Sequence, residues 1–403
     1  MNPITSLLHR APGGLRVALL LALLGGCGGG VDSGGTGGAT VYASGPINGY
    51  GSIIVNGVRF DDKTPGIDIR DDDGNVRSAS DLKLGMVVEV RGSTIVADAS
   101  GDPSSAASSI ALGSEIVGPV DANSINIVTN SFAVLGRPVD VQPTTIFADV
   151  AGLIGLAPGD VVEVYGLYNA QADRFTATRI EFKSNPNAIA NFRIRGKVSN
   201  FSASSKTFLI GILQVNYSTI SALPAGLDND SMVRVLLDAT SGVGNVWTAS
   251  RIRDGVSRPD DGQHSKVEGL VSGYSSTGFS VGGVSVTRSA GTIVTPAGTV
   301  IVDGVRVEVE GTFSNGVLAA AEIEVEGEGG DPEFEFRGLL QAVSSMTTPT
   351  TITIQGVTIT YSGATELNPN DPTKLIEGAN VSVKAILINN GTQLHASRIE
   401  FKN

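Results

Sequence analysis

The 403-residue chain has very little of the side-chain chemistry that most enzymes and metal proteins use. It holds one cysteine, three histidines and one tryptophan, and only 17% of its residues are charged. One cysteine excludes an intramolecular disulfide and a cysteine-rich zinc site. Scarce charge combined with 52 glycines excludes coiled coils and most helical solenoids. No His-Glu-x-x-His, phosphate-binding or dinucleotide-binding motif occurs, so we expect no enzymatic activity.

The charge that is present is mostly negative. The chain has 28 Lys and Arg against 40 Asp and Glu, which gives a net charge of −12. It carries no basic cluster, and neutralising phosphates requires Lys and Arg, so we expect no nucleic-acid partner. Apolar residues make up 41% of the chain, which argues against disorder over its whole length.

The segment 1–26 is typical of an export signal. Two arginines, Arg10 and Arg16, precede an apolar run over residues 17–24, which is too short to span a bilayer. Cys27 follows directly in Leu24-Gly-Gly-Cys27, which resembles the lipobox of bacterial lipoproteins. That resemblance implies cleavage after residue 26, acylation of Cys27 and membrane attachment through its lipid. Gly28, where inner-membrane lipoproteins carry Asp, implies the outer membrane.

A glycine-rich segment follows the predicted lipid site. Residues 28–40 contain seven glycines, and such a segment cannot bury apolar area, so we expect residues 27–43 to act as a flexible leash. Removal of residues 1–26 takes away two arginines and no acid. The mature chain would therefore have 26 basic and 40 acidic residues, a net charge of −14.

The rest of the chain repeats one module. A short strand of the form Val-acid-Val recurs at a nearly constant interval, and its marker valines are Val88, Val162, Val233, Val307 and Val381. Such regular spacing indicates tandem domains. The predicted modules cover residues 44–114, 115–188, 189–262, 263–331 and 332–403.

Each module reads as all-β. Strands alternate apolar and polar residues, Asn56-Gly57 is a strong hairpin signal, and a closing Ala-x-x-Ile strand recurs at Ala177, Ala249, Ala320 and Ala396. Closure into a barrel removes exposed strand edges. We therefore expect five small OB-like or SH3-like β-barrels of about 70 residues each. Residues 98–110, rich in Ser and Ala, have the composition of a linker.

These motifs resemble a known family. The opening Gly-x-Val/Leu strand, the Leu-x-x-Gly-Asp-x-Val-x-Val-x-Gly pattern and the closing Ala-x-x-Ile are similar to tandem small-barrel modules of unknown function in exported bacterial lipoproteins. Residues 156–166 fit best, and the third module departs most, with Leu236-Leu-Asp238 in place of the expected glycine. The resemblance implies the fold and assigns no catalytic residue.

Two acidic segments are candidate cation sites. Asp68, Asp71, Asp72 and Asp73 surround a Gly-bearing turn, and clustered carboxylates could bind Ca²⁺ weakly. The same residues are also typical of a solvated hairpin turn. The carboxylates of Glu322, Glu324, Glu326 and Glu328 alternate along one strand and would share one face. They could attract cations, or they could mark an exposed edge protected against pairing.

Other chemical groups are isolated in the sequence. His264 lies in a linker, His395 lies near the last strand, and neither has a partner pattern. Tyr50 and Tyr168 are the tyrosines most suited to an exposed binding role, and the signal from either is weak.

Together these features predict a non-enzymatic, membrane-anchored lipoprotein that acts as a spacer or a binding array in the cell envelope. The alternative is a binding module for polysaccharide, peptide or a divalent cation, using loops at a barrel end. We expect a monomer with no cofactor beyond weak Ca²⁺, whose partners would be an envelope protein or a polysaccharide. A binder would concentrate unusual residues in one module, whereas a spacer would vary in its loops everywhere.

Overall fold

The computed structural model describes residues 40–99, 101–240, 242, 245–326, 334–344, 350–389 and 391–402. Cys27, the predicted signal and residues 27–39 of the predicted leash therefore lie outside the described residues. Within these ranges the regular structure is β-strand, and the helices are short 3₁₀ turns, at Ala79–Asp81, Leu153–Gly155, Pro186–Ala188 and Pro372–Lys374. None of these helices is long enough to cross a bilayer.

The strands fall into five groups along the chain. The first group, module 1, contains β1 Val41–Pro46, β2 Gly49–Tyr50, β3 Ile53–Val55, β4 Val58–Asp61, β5 Asp68–Asp71, β6 Val87–Gly92, β7 Val96–Ala97 and β8 Pro103–Leu112. Module 2 contains β9 Ile116–Pro119, β10 Ser131–Val134, β11 Arg137–Ala148, β12 Val161–Asn169 and β13 Arg174–Phe182. Module 3 contains β14 Asn191–Ser202, β15 Thr207–Ile210, β16 Leu213–Asn216, β17 Met232–Asp238 and β18 Val246–Asp254.

The last two groups follow the same plan. Module 4 contains β19 His264–Ser272, β20 Gly278–Val281, β21 Val284–Thr287, β22 Ile293–Thr295, β23 Arg306–Ser314 and β24 Val317–Val325. Module 5 contains β25 Phe334–Ser344, β26 Thr350–Ile354, β27 Val357–Tyr361, β28 Glu366–Asn368, β29 Asn380–Ile388 and β30 Gln393–Phe401.

Each module is a small five-stranded barrel with one topology. Some of the five strands are split into two segments, namely β1/β2, β4/β5, β6/β7, β21/β22 and β27/β28. In module 3 the order is β14-β15-β16-β18-β17, and β17 pairs back onto β14 to close the barrel. The third and fifth strands, β16 and β18, run parallel, and the other neighbours are antiparallel. The first strand pairs with both the second and the fourth, and the third runs parallel to the fifth. This is the OB-like arrangement. The prediction of an all-β chain of small barrels is confirmed.

The marker valines are the centre of each barrel. All five are at most 1% exposed. Each lies opposite a glycine of the first strand, in the pairs Val88↔Gly45, Val162↔Gly118, Val233↔Gly196, Val307↔Gly269 and Val381↔Gly338. The repeating Val and Gly therefore encode one cross-strand pair, which the structure uses five times.

The residue four positions after each marker valine lies at a β-bulge in the pairing of the fourth and fifth strands. Modules 1, 2 and 4 place Gly92, Gly166 and Gly311 there. A Cβ at Gly311 would lie 2.1 Å from the carbonyl oxygen of Ala319, so that position has no room for a side chain. Modules 3 and 5 place Leu237 and Ala385 at the bulge. The two modules that depart from the glycine pattern therefore keep the same irregularity without a glycine.

Module 1 also has the closing strand that the sequence did not reveal. Residues 103–112 form β8, and its Ala107 and Ile110 pair with Gly92 and Val90 as the Ala-x-x-Ile residues do in the other modules. The expectation of a linker over residues 98–110 is wrong. The Ser and Ala residues of β8 are tolerated because they are small enough for the crowded bulge. Its Ala107 and Ile110 are buried. Likewise β1 begins at Val41, and buried Val41, Tyr42 and Ala43 belong to the barrel rather than to the leash.

First strands also join the modules. The beginning of β1 pairs in parallel with β19 of module 4, over Val41↔His264 to Ser44↔Val267. Strand β2 pairs with β25 of module 5, and β9 of module 2 pairs with β14 of module 3. The close approach of β2 to β25 needs a glycine, since a Cβ at Gly49 would lie 2.0 Å from the carbonyl oxygen of Glu335.

The apolar cores are shared between modules whose strands pair. Modules 1 and 5 share one continuous cluster of buried side chains, which includes Phe60 of the first and Phe336 of the last. Modules 2 and 3 share a second cluster, and module 4 has a third, which Tyr42 of module 1 joins. The first and last modules are therefore in contact, and the modules form one associated body.

Candidate functional site

The acidic run of module 1 lies at the junction with module 3. Asp68 stays on its own strand, where both carboxylate oxygens accept from Nε of Arg70 at 2.8 and 2.9 Å. Asp71 closes the turn, because its Oδ1 accepts from the backbone N–H of Asp73 and of Asn75 at 2.9 Å. Its Oδ2 accepts from Arg77, and despite burial the hydrogen bonds from Asn75 and Arg77 lower the pKa of Asp71.

Asp72 and Asp73 point across the junction. Asp73 Oδ2 accepts from Nη2 of Arg193 at 2.7 Å, and Asp72 Oδ2 accepts from Nη1 of Arg234. The four aspartates thus face different arginines and do not converge. In the ranges that the structure describes, no group of three or more His, Cys, Asp or Glu side chains is placed to hold a metal ion. The run is a docking loop in this structure, and its predicted affinity for Ca²⁺ stays a prediction.

The partner of this loop is an arginine face on module 3. Five arginines lie on three adjacent strands: Arg193 and Arg195 on β14, Arg234 on β17, and Arg251 and Arg253 on β18. The register places Arg195 opposite Arg234 and Arg234 opposite Arg253. Like charges directly opposite one another destabilise a sheet, so this face needs carboxylates from elsewhere.

Module 2 supplies the most deeply buried carboxylate. Glu115 is 1% exposed, and both of its oxygens accept from Nη1 of Arg195, at 3.0 and 3.1 Å. Arg195 also donates from Nε to the carbonyl of Gly255 at 2.7 Å. Burial lowers the pKa of Arg234, but Asp72 and Glu115 outweigh it and raise the pKa above its ordinary value. The charge on Arg234 is therefore retained in the folded state.

A cleft of about 200 Å³ opens beside this ionic junction. Its lining includes Arg251 and Arg253 together with Glu89, Asp254 and Ser257. Two polar atoms of lining residues, Nε of Arg193 and Oδ1 of Asp73, are buried without a hydrogen-bond partner in the described structure. The guanidinium and carboxylate groups that line the cleft supply donors and acceptors for a small polar molecule.

Sequence reasoning missed the arginines, although a signal was present. Residues 191–254 hold seven Lys and Arg against four Asp and Glu in a chain that is acidic as a whole. The pairs Arg193/Arg195 and Arg251/Arg253 alternate with buried residues, so their side chains share an outer face. A separate net charge for each module would have identified module 3 as the exception.

The second acidic segment that the sequence singled out, Glu322 to Glu328, begins on the outer face of module 4. Glu322 and Glu324 alternate with buried Ile323 and Val325 on β24, as expected. They lie opposite Glu310 and Glu308 of β23. Glu326 follows the strand, and Glu328 lies outside the described residues.

Module 4 neutralises part of that charge from its first strand. Lys266 Nζ lies 2.6 Å from Glu308 and 2.8 Å from Glu310, and His264 Nε2 lies 3.2 Å from Glu310. Burial raises the pKa of Glu310, but His264 and Lys266 outweigh burial and lower it to about 2. On the same face burial raises the pKa of Glu268 to about 7, against the opposing effect of Arg306.

The two candidate tyrosines and His395 make hydrogen bonds within the protein. Tyr168 is 8% exposed and donates to Asp173 at 2.6 Å. Tyr50 donates to the carbonyl of Leu82 at 3.1 Å and is half-buried. His395 Nδ1 lies 3.0 Å from the hydroxyl of Thr360. Neither tyrosine forms an open binding platform.

One serine has a nucleophile-like sequence without the matching structure. Gly278-Phe-Ser-Val-Gly282 has the Gly-x-Ser-x-Gly spacing, but it lies in the β20–β21 hairpin. The nucleophile elbow needs a turn from a strand into a helix, so Ser280 is not placed as a catalytic nucleophile.

Comparison with known proteins identifies a family for three of the modules. Residues 117–181, 268–324 and 337–400 match the family described as Domain of unknown function (DUF5666). No curated protein matches the chain. A solved structure described as drosophila Unr CSD456 is 14% identical, over 52% of this chain and 96% of that chain, with a TM-score of 0.14.

Proposed function

We propose that this chain, three of whose modules belong to the DUF5666 family, is a non-enzymatic binding protein of the cell envelope. Acylated Cys27 would tether it to the outer membrane, and the glycine-rich residues after Cys27 would give the folded body reach. The five barrels would act together as a binding array. Module 3 would bind the ligand through its arginine face.

The association of modules 1 and 5 favours an array over a spacer. A spacer gains length when its modules are joined end to end. Here the first and last modules share a core that includes Phe60 and Phe336, and β2 pairs with β25. Five modules strung end to end would not bring the first and the last into such contact.

The concentration of unusual residues in one module favours binding. The arginine face belongs to module 3 alone among the described barrels, and this is also a module that lacks the bulge glycine. Module 3 borders a cleft with polar groups. This cleft, with two exposed arginines at its rim, is the observation that supports the proposal most directly.

The tether is tested by fractionating cells that express the full chain. The wild type should sediment with outer membranes, and Cys27→Ala should appear in the soluble fraction. Gly28→Asp, which keeps the lipid but changes the sorting residue, should move the protein toward inner membranes. Membrane retention of Cys27→Ala would contradict the anchor.

The array is tested by X-ray scattering of residues 28–403 expressed without the predicted signal and lipid site. A compact body of about 360 residues has a radius of gyration near 21 Å, with a modest addition for the leash. Five barrels strung end to end would give a much larger value. An extended profile would favour the spacer and contradict the array.

A further inference from the structure

The cleft beside the arginine face has two cations whose charge is not balanced by a carboxylate contact. Arg251 donates from Nη1 to the backbone carbonyl of Asp73 at 3.1 Å, and Arg253 donates to the backbone carbonyl of Asp72. Among the described residues, the carboxylates of the junction form their ion pairs with Arg193, Arg195 and Arg234 instead. Each guanidinium has five donors, so most donors of Arg251 and Arg253 remain open to a ligand.

These two arginines are arranged to take one carboxylate. They flank buried Ile252 on β18, so both side chains stand on the outer face of the sheet. Both are exposed at the rim of the cleft. Arginine binds carboxylate and phosphate through paired donors, and such charge-assisted hydrogen bonds are the strong ones.

The other lining groups accept hydrogen bonds. Glu89 and Asp254 contribute carboxylates, and Ser257 contributes a hydroxyl. Asp254 accepts from the backbone N–H of Val256 at 2.9 Å, and this bond fixes its position. These carboxylates accept hydrogen bonds, so a ligand that carries hydroxyl groups beside its own negative group matches both parts of the lining.

The size and the lining limit the ligand further. A cavity of roughly 150 Å³ accommodates benzene, so about 200 Å³ provides space for one six-membered ring with substituents. Among the described residues no aromatic side chain lines the cleft, and the apolar contacts come from Ala111, Val235 and Leu236. Recognition must therefore rely on charge and hydrogen bonds, which does not favour a neutral sugar.

We infer that this cleft binds one acidic sugar unit, a uronate. Its carboxylate would lie on Arg251 and Arg253, and its hydroxyls would donate to Glu89 and Asp254. This inference rests on the proposed binding function of module 3 and names the class of ligand. The unit could belong to an acidic polysaccharide or be a free sugar acid, since both present the same carboxylate and hydroxyls.

The test is calorimetric titration, at low salt, of residues 28–403 expressed without the predicted signal and lipid site. The probes are D-galacturonate, its trimer, D-galactose and inorganic phosphate. Binding of galacturonate with no heat from galactose or phosphate is expected. Tighter binding of the trimer would indicate a polysaccharide, and equal affinity per unit would indicate the free sugar acid.

The variants assign the binding to the cleft. Arg251→Gln combined with Arg253→Gln should weaken galacturonate binding at least tenfold while the melting temperature stays near the parent value. Lys197→Gln, which removes an exposed cation of the same module (52% exposed side chain), should bind like the parent. If the double variant unfolds, Ser257→Trp, which fills the exposed rim, provides the second test and should also block binding.

Three outcomes would overturn the inference: no heat with either galacturonate probe, phosphate binding as tightly as galacturonate, or unchanged affinity in both cleft variants. A preference for phosphate would assign the arginines to phosphate-bearing ligands. None of these results bears on the tether or the array, which fractionation and scattering test separately.

Discussion

Arg195 of module 3 donates from one nitrogen, Nη1, to both carboxylate oxygens of Glu115 in module 2, at 3.0 and 3.1 Å. Their side chains are 9% and 1% exposed. The two residues are 80 positions apart in the chain, and Glu115 has a second, longer ionic contact of 3.8 Å with Nη2 of Arg234. This pair fixes how modules 2 and 3 sit at the junction where the acidic loop of module 1 also docks.

Removal of one partner should be costly. Arg195→Ala leaves the charge of Glu115 buried without its main partner, and breaking a buried pair in this way costs about 3–5 kcal/mol. Urea unfolding of the processed chain measures the loss. Lys197→Ala, two positions along the same strand and paired with exposed Asp230, should cost only about 0–1 kcal/mol. Equal effects of the two variants would contradict the role of the buried pair.

Calcium should not stabilise the protein specifically. Asp68, Asp71, Asp72 and Asp73 each face an arginine, so a Ca²⁺ ion would have to displace these contacts. We expect CaCl₂ to change the melting temperature no more than NaCl of matched ionic strength. A rise with CaCl₂ alone, lost in Asp71→Asn, would instead establish the weak site that the sequence suggests.

Stability should depend on the protonation of Glu268. Because the pKa of Glu268 is raised to about 7 in the folded state, the folded protein binds this proton more tightly than the unfolded chain does. The free energy of unfolding therefore falls as pH rises from about 4.5 to about 7.

Glu268→Gln should remove that decline. Calorimetric melts at pH 5 and pH 8 should show the variant gaining on the wild type at the higher pH. Glu366→Gln, whose side chain is 64% exposed, is the matched control and should show no such gain. A difference between Glu268→Gln and wild type that stays constant with pH would contradict a raised pKa.

Proteolysis should distinguish the links between modules. Residues 184–188 are exposed, whereas Ser114 and Glu115, at the predicted boundary near residue 114, are 2% and 1% exposed. Limited digestion with subtilisin should cut at 184–188 and spare residue 114. The fragments should separate on a denaturing gel and stay together in gel filtration, because β9 pairs with β14. Early cleavage at 114 would show that this junction is open.

Much of the barrel fold could be predicted from the sequence because it rests on local repetition. Val88 and its four counterparts recur at nearly equal spacing, and each faces a first-strand glycine in the structure. The glycine of the bulge recurs for a steric reason that is the same in modules 1, 2 and 4. The strand over residues 103–112 could not be recognised because small residues replace the usual alternation there.

Only the acidic half of the candidate site could be predicted from the sequence. The sequence identified the run from Asp68 to Asp73 as a chemical feature, but two of those carboxylates, on Asp72 and Asp73, pair with arginines far along the chain, Arg234 and Arg193. No periodicity relates residue 73 to residue 193. Without the partner, a cation was the natural ligand to expect for clustered carboxylates.

The sequence by itself therefore determined most of the strands and the repeated barrels, since alternation, glycine placement and turn residues all act within a single module. Only the tertiary structure decided how the barrels associate and which charges meet. Association depends on the matching of whole surfaces, such as the acidic loop of module 1 and the arginine face of module 3. Buried ions must find partners wherever the packed modules supply them, and that choice is made in three dimensions.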